Sequence, residues 1–293
     1  MQIELIETFL DLCDTRSFNK TADRMGVTQS TVSGRVKSLE ATLGHRLFTR
    51  SRAGTELTTE GLRFSPHART LLYDWSEARH AIRGAGAGEV TMRIGIQHDL
   101  VGIHFVELIQ DFRKALTDTA FLFEADYSAQ MTSDLTTGVE DFAILFTPRY
   151  HPDLYFETLG EVSYIMVSTE TDRIAEVNSN TYIMPHFSDA MPRIHATMLP
   201  HLSSTSLSIG QNAAMVSLLE SLGGTAYVLR PSAEALQRSG TCRLVTDAPP
   251  ILQPICAGMH IRNRHRSMHR RILQILRARF GPDKSSVVRR RAD

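Results

Sequence analysis

The chain has 293 residues, 42% apolar and 22% charged, a length that favours two domains and a composition that excludes a disordered, collagenous or disulfide-stapled protein. Its formal charge is zero, yet the charge is segregated: 12 basic against 10 acidic residues over 1–88, 9 against 20 over 89–261, and 11 against 2 over 262–293. Within the first part, residues 16–63 hold nine basic and four acidic side chains. Such asymmetry points to a polyanion partner, although a solvated face also explains a charge run. The longest stretch without Lys, Arg, Asp or Glu, Ile194 to Leu219, is rich in Ser, Thr, His, Asn and Gln, so lipid would strand its polar groups and no membrane partner is expected. The first fifteen residues carry Glu4, Glu7, Asp11 and Asp14 and no basic residue, the reverse of a secretory leader, and a cytoplasmic protein is expected.

Leu5, Phe9 and Leu12 recur at helical spacing. Ser17 can cap a helix over Phe18 to Met25, Gly26 supplies a turn, and Thr28 caps a helix that runs to about Leu43 before Gly44. On that helix Val32, Val36, Leu39 and Leu43 form an apolar stripe, and the opposite face is Ser30, Gly34 and Lys37, flanked by Thr31 and Ser33. Small polar groups on an outward face let a helix approach base edges in the major groove, with Thr28 and Gln29 at its start able to bond bases or phosphates. Packing in a helical bundle explains the stripe equally well. Leu47 to Thr58 reads as two short strands about Ala53-Gly54, a wing whose Arg50 and Arg52 would reach the phosphate backbone or the minor groove.

The segments Phe18-Asn19-Lys20-Thr21-Ala22-Asp23-Arg24-Met25, Thr28-Gln29-Ser30-Thr31-Val32-Ser33, Leu39-Glu40, Leu43-Gly44, Leu47-Phe48-Thr49-Arg50 and Leu57-Thr58-Thr59-Glu60-Gly61 resemble the winged helix-turn-helix of LysR-type transcriptional regulators. The resemblance is dense over about residues 3–65 and continues more loosely to about residue 280. It implies an α/β protein: an all-α-rich N-terminal winged helix-turn-helix over residues 1–58, a linker helix over 59–83, a hinge over 84–89, and a periplasmic-binding-protein-like domain of two α/β subdomains over 90–280. It also implies double-stranded promoter DNA as partner, with contacts from Thr28, Gln29, Ser30, Thr31, Ser33, Gly34, Arg35, Lys37, Arg50 and Arg52. Many relatives carry Pro where this chain has Ser30 and Arg where it has Gly34, which bears on the operator sequence rather than on DNA binding itself.

Along the linker helix Leu71, Trp75, Ala78 and Ile82 share one face, more apolar surface than a domain of this size can cover. By resemblance this face pairs with its twin, giving a dimer and, by further pairing, a tetramer. Gly84-Ala85-Gly86-Ala87-Gly88 buries nothing and marks the domain boundary. Beyond it, Met92 to Ile96, Ala120 to Phe123 and Phe142 to Phe146 read as strands, and Val101 to Leu116 and Ala129 to Gly138 as helices between them, an order that predicts a largely parallel sheet.

The resemblance divides the sensor into subdomain I, about 90–162 with 260–280, and subdomain II, about 163–259, with a small-molecule effector between them. Ligands in such sheets sit beyond the carboxyl ends of strands and at helix starts. That rule selects Gln97, His98 and Asp99 after the first strand, Tyr127 and Ser128 after the second, Phe146 and Thr147 after the third, and Gln211 and Asn212 before the helix Ala213 to Leu222. The rings of Tyr127 and Phe146 could stack on a planar ligand, and a neutral or cationic polar effector fits the few basic residues as well as a carboxylate does. No cofactor is expected. RNA polymerase is a further candidate partner, and residues 281–293 form a basic tail expected to lack fixed structure.

No GxSxG, P-loop or HExxH motif is present, so enzyme chemistry is not expected. Cys13, Cys242 and Cys256 have no CxxC or metal spacing. Some relatives sense peroxide through a sensor disulfide, but neither Cys242 nor Cys256 lies beside an evident activating base. His265 and His269 have i, i+4 spacing, but five arginines around them would repel a cation, and no metal is expected.

Overall fold

The computed structural model describes residues 2–51, 54–84, 90–202 and 205–281. Arg52, hinge residues 85–89 and the tail from 282 onward lie outside the described residues, as does the side chain of Arg50. The chain divides into two compact units, Met1–Gly88 with Thr136–Val139, and Glu89–Leu135 with Glu140–Asp293.

The first unit opens with helices α1 (Ile3–Thr15), α2 (Phe18–Met25) and α3 (Gln29–Leu43). Their ends are written locally. The Ser17 hydroxyl accepts the Lys20 amide at 3.4 Å, and Gly26 closes α2 in the left-handed region at φ 64°, where a β-carbon is penalised. The Thr28 hydroxyl then caps α3 by accepting the Thr31 amide at 3.2 Å. Leu5, Phe9, Leu12, Val36 and Leu39 pack the faces of α1 and α3 around a common core. The wing follows as β1 (Phe48–Ser51) antiparallel to β2 (Gly54–Leu57). Glu40 ties it to α3, its carboxylate accepting the Leu47 and Phe48 amides at 2.7 and 3.3 Å. Phe48 and Phe64 pack their rings on Phe9 at 5.3 and 5.1 Å. Helix α4 (Thr59–Gly84) runs uninterrupted through Pro66, and Thr58 caps it, accepting the Gly61 amide at 3.0 Å.

Gly34 is exposed on α3, and a β-carbon there would meet nothing within 4 Å. Gly34→Ala is therefore expected to raise stability by about 1 kcal/mol through helix propensity alone. Urea unfolding of the full chain checks this; a fall in stability would contradict an open, helical site.

The second unit holds a nine-stranded sheet in the order β4-β3-β5-β11-β6-β9-β7-β8, with β10 paired to β6. Its elements in chain order begin with β3 (Val90–Gln97), α5 (His98–Ala115), β4 (Thr119–Asp126), α6 (Ser128–Thr137), β5 (Phe142–Leu145) and β6 (Leu154–Ser168). There follow β7 (Tyr182–Pro185), α7 (Met191–Met198), β8 (Ser208–Ile209), α8 (Asn212–Leu222), β9 (Thr225–Leu229) and α9 (Arg230–Arg238). The last are β10 (Arg243–Leu244), β11 (Ile251–His260), a 3-10 turn (Ile261–Asn263) and α10 (Ser267–Phe280).

The sheet is mixed rather than largely parallel. β3 runs parallel to β4 and β5, and β7 parallel to β8 and β9, but the long strands β6 and β11 pair antiparallel with each other and with β9 and β5. β6 and β11 pass between the two parallel groups, so residues 162 and 163 lie inside one strand. Phe112, Phe142, Phe146, Tyr164, Phe187 and Tyr227 are among the largest side chains in its core.

Glu140, between α6 and β5, is only 3% exposed and packs flat on Gly95 of β3, where any β-carbon would collide with both carboxylate oxygens. Burial, reinforced by the charges of Asp134, Glu124 and Asp126 and opposed by Arg93, pushes its carboxyl up to about 9.

Candidate nucleic-acid interface and ligand cleft

Helix α3 presents the face that its sequence pattern implies. Thr28, Gln29, Ser30, Thr31, Gly34 and Lys37 are exposed, and Ser33 is half-buried. The Thr28 hydroxyl is already within 2.8 Å of the Ser30 and Thr31 hydroxyls, so its first task is to hold the start of the helix. Arg35 is turned toward α1, where it donates to the Thr8 hydroxyl at 3.3 Å and braces the two helices. A groove between α3 and the wing is lined by Ser33, Lys37, Arg46 and Thr49. Sequence patterns did not single out Arg46, which belongs to neither the helix nor the hairpin. Arg50 lies on β1 with its side chain outside the described residues, and Arg52 lies wholly outside them. On α4, Leu71, Trp75, Ala78 and Ile82 are all exposed, leaving an apolar stripe uncovered.

In the second unit, parallel pairing brings the carboxyl ends of β3, β4 and β5 to one edge, with Gln97 opposite Asp126. Ser128 is the hub there: its hydroxyl accepts the Phe146 and Thr147 amides at 3.2 and 3.3 Å and donates to the Gln97 side chain at 3.1 Å. The Gln97 amide then crosses to the segment after β7, donating to the Phe187 carbonyl at 3.3 Å. A second glutamine repeats this arrangement. Gln253 donates to the Phe146 carbonyl at 3.3 Å and accepts from Ser188 at 2.9 Å. Both side-chain amides are buried, 1% and 3% exposed, so the two halves of the sheet are stitched by hydrogen bonds shielded from water. At the rim, Arg149 pairs with Asp189 at 2.7 Å, and the rings of His98 and Tyr127 lie 4.9 Å apart.

The predicted effector contacts thus separate into two sets. Asp99 sits in the first turn of α5 and is spent internally, accepting the Tyr164 hydroxyl at 2.7 Å and the Asn212 amide at 2.8 Å while burial pushes its carboxyl up. Asn212 is likewise engaged, its carbonyl taking the Leu229 amide at 2.7 Å and its amide reaching Ser232 at 2.9 Å. Phe146 is buried in the core, with its amide bonded to Ser128 and its carbonyl to Gln253, and does not present the stacking ring that the sequence suggested. Tyr127 is exposed, and Ser128 and Gln211 keep some exposed surface at this edge. The Thr147 hydroxyl is buried without a hydrogen-bond partner. Gln253, Ser188 and Phe187 were missed, because their role arises from pairings 65 to 107 residues apart.

Burial raises the Cys242 and Cys256 thiols, the opposite of what a reactive thiolate needs. Among the described residues no cluster of three or more His, Cys, Asp or Glu could hold a metal, and no helix is long and apolar enough to cross a membrane.

Residues 3–62 match the family described as bacterial regulatory helix-turn-helix protein, lysR family, and residues 85–281 match the LysR substrate binding domain. The HTH-type transcriptional regulator HdfR of Salmonella newport is 44% identical over 82 residues, a match covering 28% of this chain and 30% of that protein. Vibrio fischeri DarR in complex with DNA has a similar fold (TM-score 0.55, 19% identity, 94% of this chain and 98% of that one). So does the full-length regulator LysG from Corynebacterium glutamicum with bound effector Arg (TM-score 0.53, 18% identity, 96% and 98%). With both family matches in register with the helix-turn-helix and the cleft, the chain belongs to the LysR family of bacterial regulatory proteins.

Proposed function

We propose that the protein is a non-enzymatic, cytoplasmic transcriptional regulator that binds double-stranded promoter DNA as a homo-oligomer and responds to a small polar effector in the cleft of its second unit. The observation that carries this reading is the capped helix α3 with its exposed face of Gln29, Ser30, Thr31, Gly34 and Lys37, flanked by a wing. Such a face brings the helix backbone close to base edges while Gln29 and Ser33 supply directional hydrogen bonds. The cleft supports the second half of the reading. An effector that bonds the unpartnered Thr147 hydroxyl would compete for the Ser128 and Gln97 hydrogen bonds that hold the two halves together. LysG, with its bound Arg, and DarR, with its DNA, are precedents for the two activities on this fold.

Exposed Leu71, Trp75 and Ile82 on α4 support pairing with a second copy, which would place two reading helices on one DNA. The test is a gel shift on DNA upstream of the protein's own gene. Gln29→Ala and Ser33→Ala are expected to reduce discrimination between that DNA and random duplex, each base-specific hydrogen-bonding group contributing about 1–3 kcal/mol. Equal weakening on both DNAs would show that α3 does not read bases.

A further inference from the structure

We propose that the effector of the cleft is an organic cation, an amine or a guanidinium without a carboxylate, held between Asp126, Thr147 and the Tyr127 ring. The proposal rests on the reading above that the cleft takes an effector, and it names that effector's chemistry. Two observations carry it. The chain's own carboxylates already meet the helix starts where an anion would bind, and the groups left open at this edge suit a cation.

A helix start presents unpaired amides and the positive end of the helix dipole, so it is where such a sheet receives an anionic ligand. Here those places are filled. Asp99, in the first turn of α5, reaches across to the start of α8, where one carboxylate oxygen accepts the Asn212 amide at 2.8 Å. Its other oxygen accepts the Tyr164 hydroxyl at 2.7 Å, and the residue is only 5% exposed. The Asn212 side chain beside it is engaged with the Leu229 amide and the Ser232 hydroxyl. Asp126 acts likewise for α6, accepting the Tyr127 amide at 2.7 Å just before that helix begins. A ligand carboxylate would have to displace a buried carboxylate with both oxygens bonded, or sit against a like charge at the start of α6.

What is left open prefers positive charge. Asp126 is half-buried, and no Lys, Arg or His among the described residues bonds it. Strand register places it beside Gln97, whose side chain shares the Ser128 hydroxyl with the Thr147 amide. The Thr147 hydroxyl, buried without a partner, belongs to the same hub and can accept an N–H. The Tyr127 ring is 40% exposed and spans the cleft, its hydroxyl lying against Gly210, where a β-carbon would stand 3.0 Å from it. The face of such a ring attracts a cation. The arginines of this edge are engaged, Arg149 with Asp189 at 2.7 Å and Arg230 with Ser163 at 3.0 Å, and Arg193 on α7 lines a hollow with Thr197 and Met198. Glu124, exposed two residues before Asp126, adds to the field. Residues 89–261 as a whole hold 9 basic against 20 acidic side chains, which draws cations toward this unit.

The test is thermal unfolding of the full-length protein with two sets of probes, footprinted on upstream DNA in parallel. One set is agmatine, putrescine and cadaverine; the other is acetate, succinate and benzoate. At about 10 mM a member of the first set is expected to raise the wild-type midpoint by about 3 °C or more, and no carboxylate to raise it. Asp126→Asn should abolish that shift, and Tyr127→Ala should weaken the cation about tenfold. Asp126→Asn is also the control for cations that act on DNA directly. Asp99→Ala bares the start of α8, so its midpoint should fall and be regained in part in acetate. If that variant does not fold, Asp99→Asn, which keeps an acceptor for the Asn212 amide, should fold and respond to the cations alone. Protection of wild type by a carboxylate, or by none of the cations, overturns the proposal, as does a cation shift that survives Asp126→Asn or a folded Asp99→Ala that ignores acetate. A footprint altered by a carboxylate would then leave the effector reading standing. A cation that raises the midpoint through Asp126 and leaves the footprint unchanged upholds the ligand class and overturns the effector reading.

Discussion

Trp75→Ala is expected to convert a dimer into a monomer and to weaken binding to upstream DNA about a hundredfold or more. Trp75 is 47% exposed in the single chain, and it lies in line with exposed Leu71, Ala78 and Ile82, the last 77% exposed. A helix with that much apolar surface facing water gains free energy by covering it. Truncating a central Trp in an interface costs about 2–4 kcal/mol, and in a symmetric dimer the loss is counted on both subunits. DNA affinity follows, since a monomer engages one half-site and forfeits the effective concentration that tethers the second. The fold of each unit should persist because Trp75 belongs to neither main core cluster. Light scattering and DNA titration measure the two consequences together. A dimer that survives Trp75→Ala with unchanged affinity would remove α4 from the dimer interface.

The second large effect concerns pH. Glu140 has its carboxyl raised from 4.5 to about 9, first by burial and then by Asp134 on α6 and by Glu124 and Asp126 on β4, with Arg93 on β3 opposing. The folded chain therefore holds a proton that the unfolded chain releases near 4.5. By linkage, this group's contribution to stability is greatest below about 4.5, declines as pH rises through the window to about 9, and is level above it. The slope inside the window is at most about 1.4 kcal/mol per pH unit. Glu140→Gln keeps the shape and removes the proton, so its stability should stay flatter across that window and exceed wild type at its alkaline end. Urea midpoints at several pH values decide the matter. Parallel curves for the two proteins would show that Glu140 does not carry the buried proton.

What could be read from the sequence was mostly what is encoded locally. Ser17, Gly26 and Thr28 act within four residues of themselves, and the structure places each cap and turn where the sequence puts it. The apolar spacing of Leu71, Trp75, Ala78 and Ile82 marked the second half of α4 as helical, while its start at Thr59 came from the family resemblance. The sensor was harder. β3 passes into α5 at Gln97 with no intervening loop, so His98 and Asp99 occupy the first helical turn rather than the linker that the apolar pattern suggested. β6 extends for fifteen residues through the expected subdomain boundary, because its alternation continues while β9 joins it beyond residue 163. In the cleft, strand ends named the right neighbourhood, since ligands gather there by topology. They did not name the partners. Asp99 and Asn212 bond each other across 113 residues, and Gln253 carries no local sign of its place beside Phe146.

Sequence-specific binding of a dimer is tested by a footprint of the full-length protein on DNA upstream of its own gene, with excess random duplex as competitor. Protection is expected over two half-sites separated by about one helical turn or a multiple of it, persisting against the competitor and lost from both halves in Trp75→Ala. Protection that spreads evenly along the fragment and disappears into the competitor would contradict it.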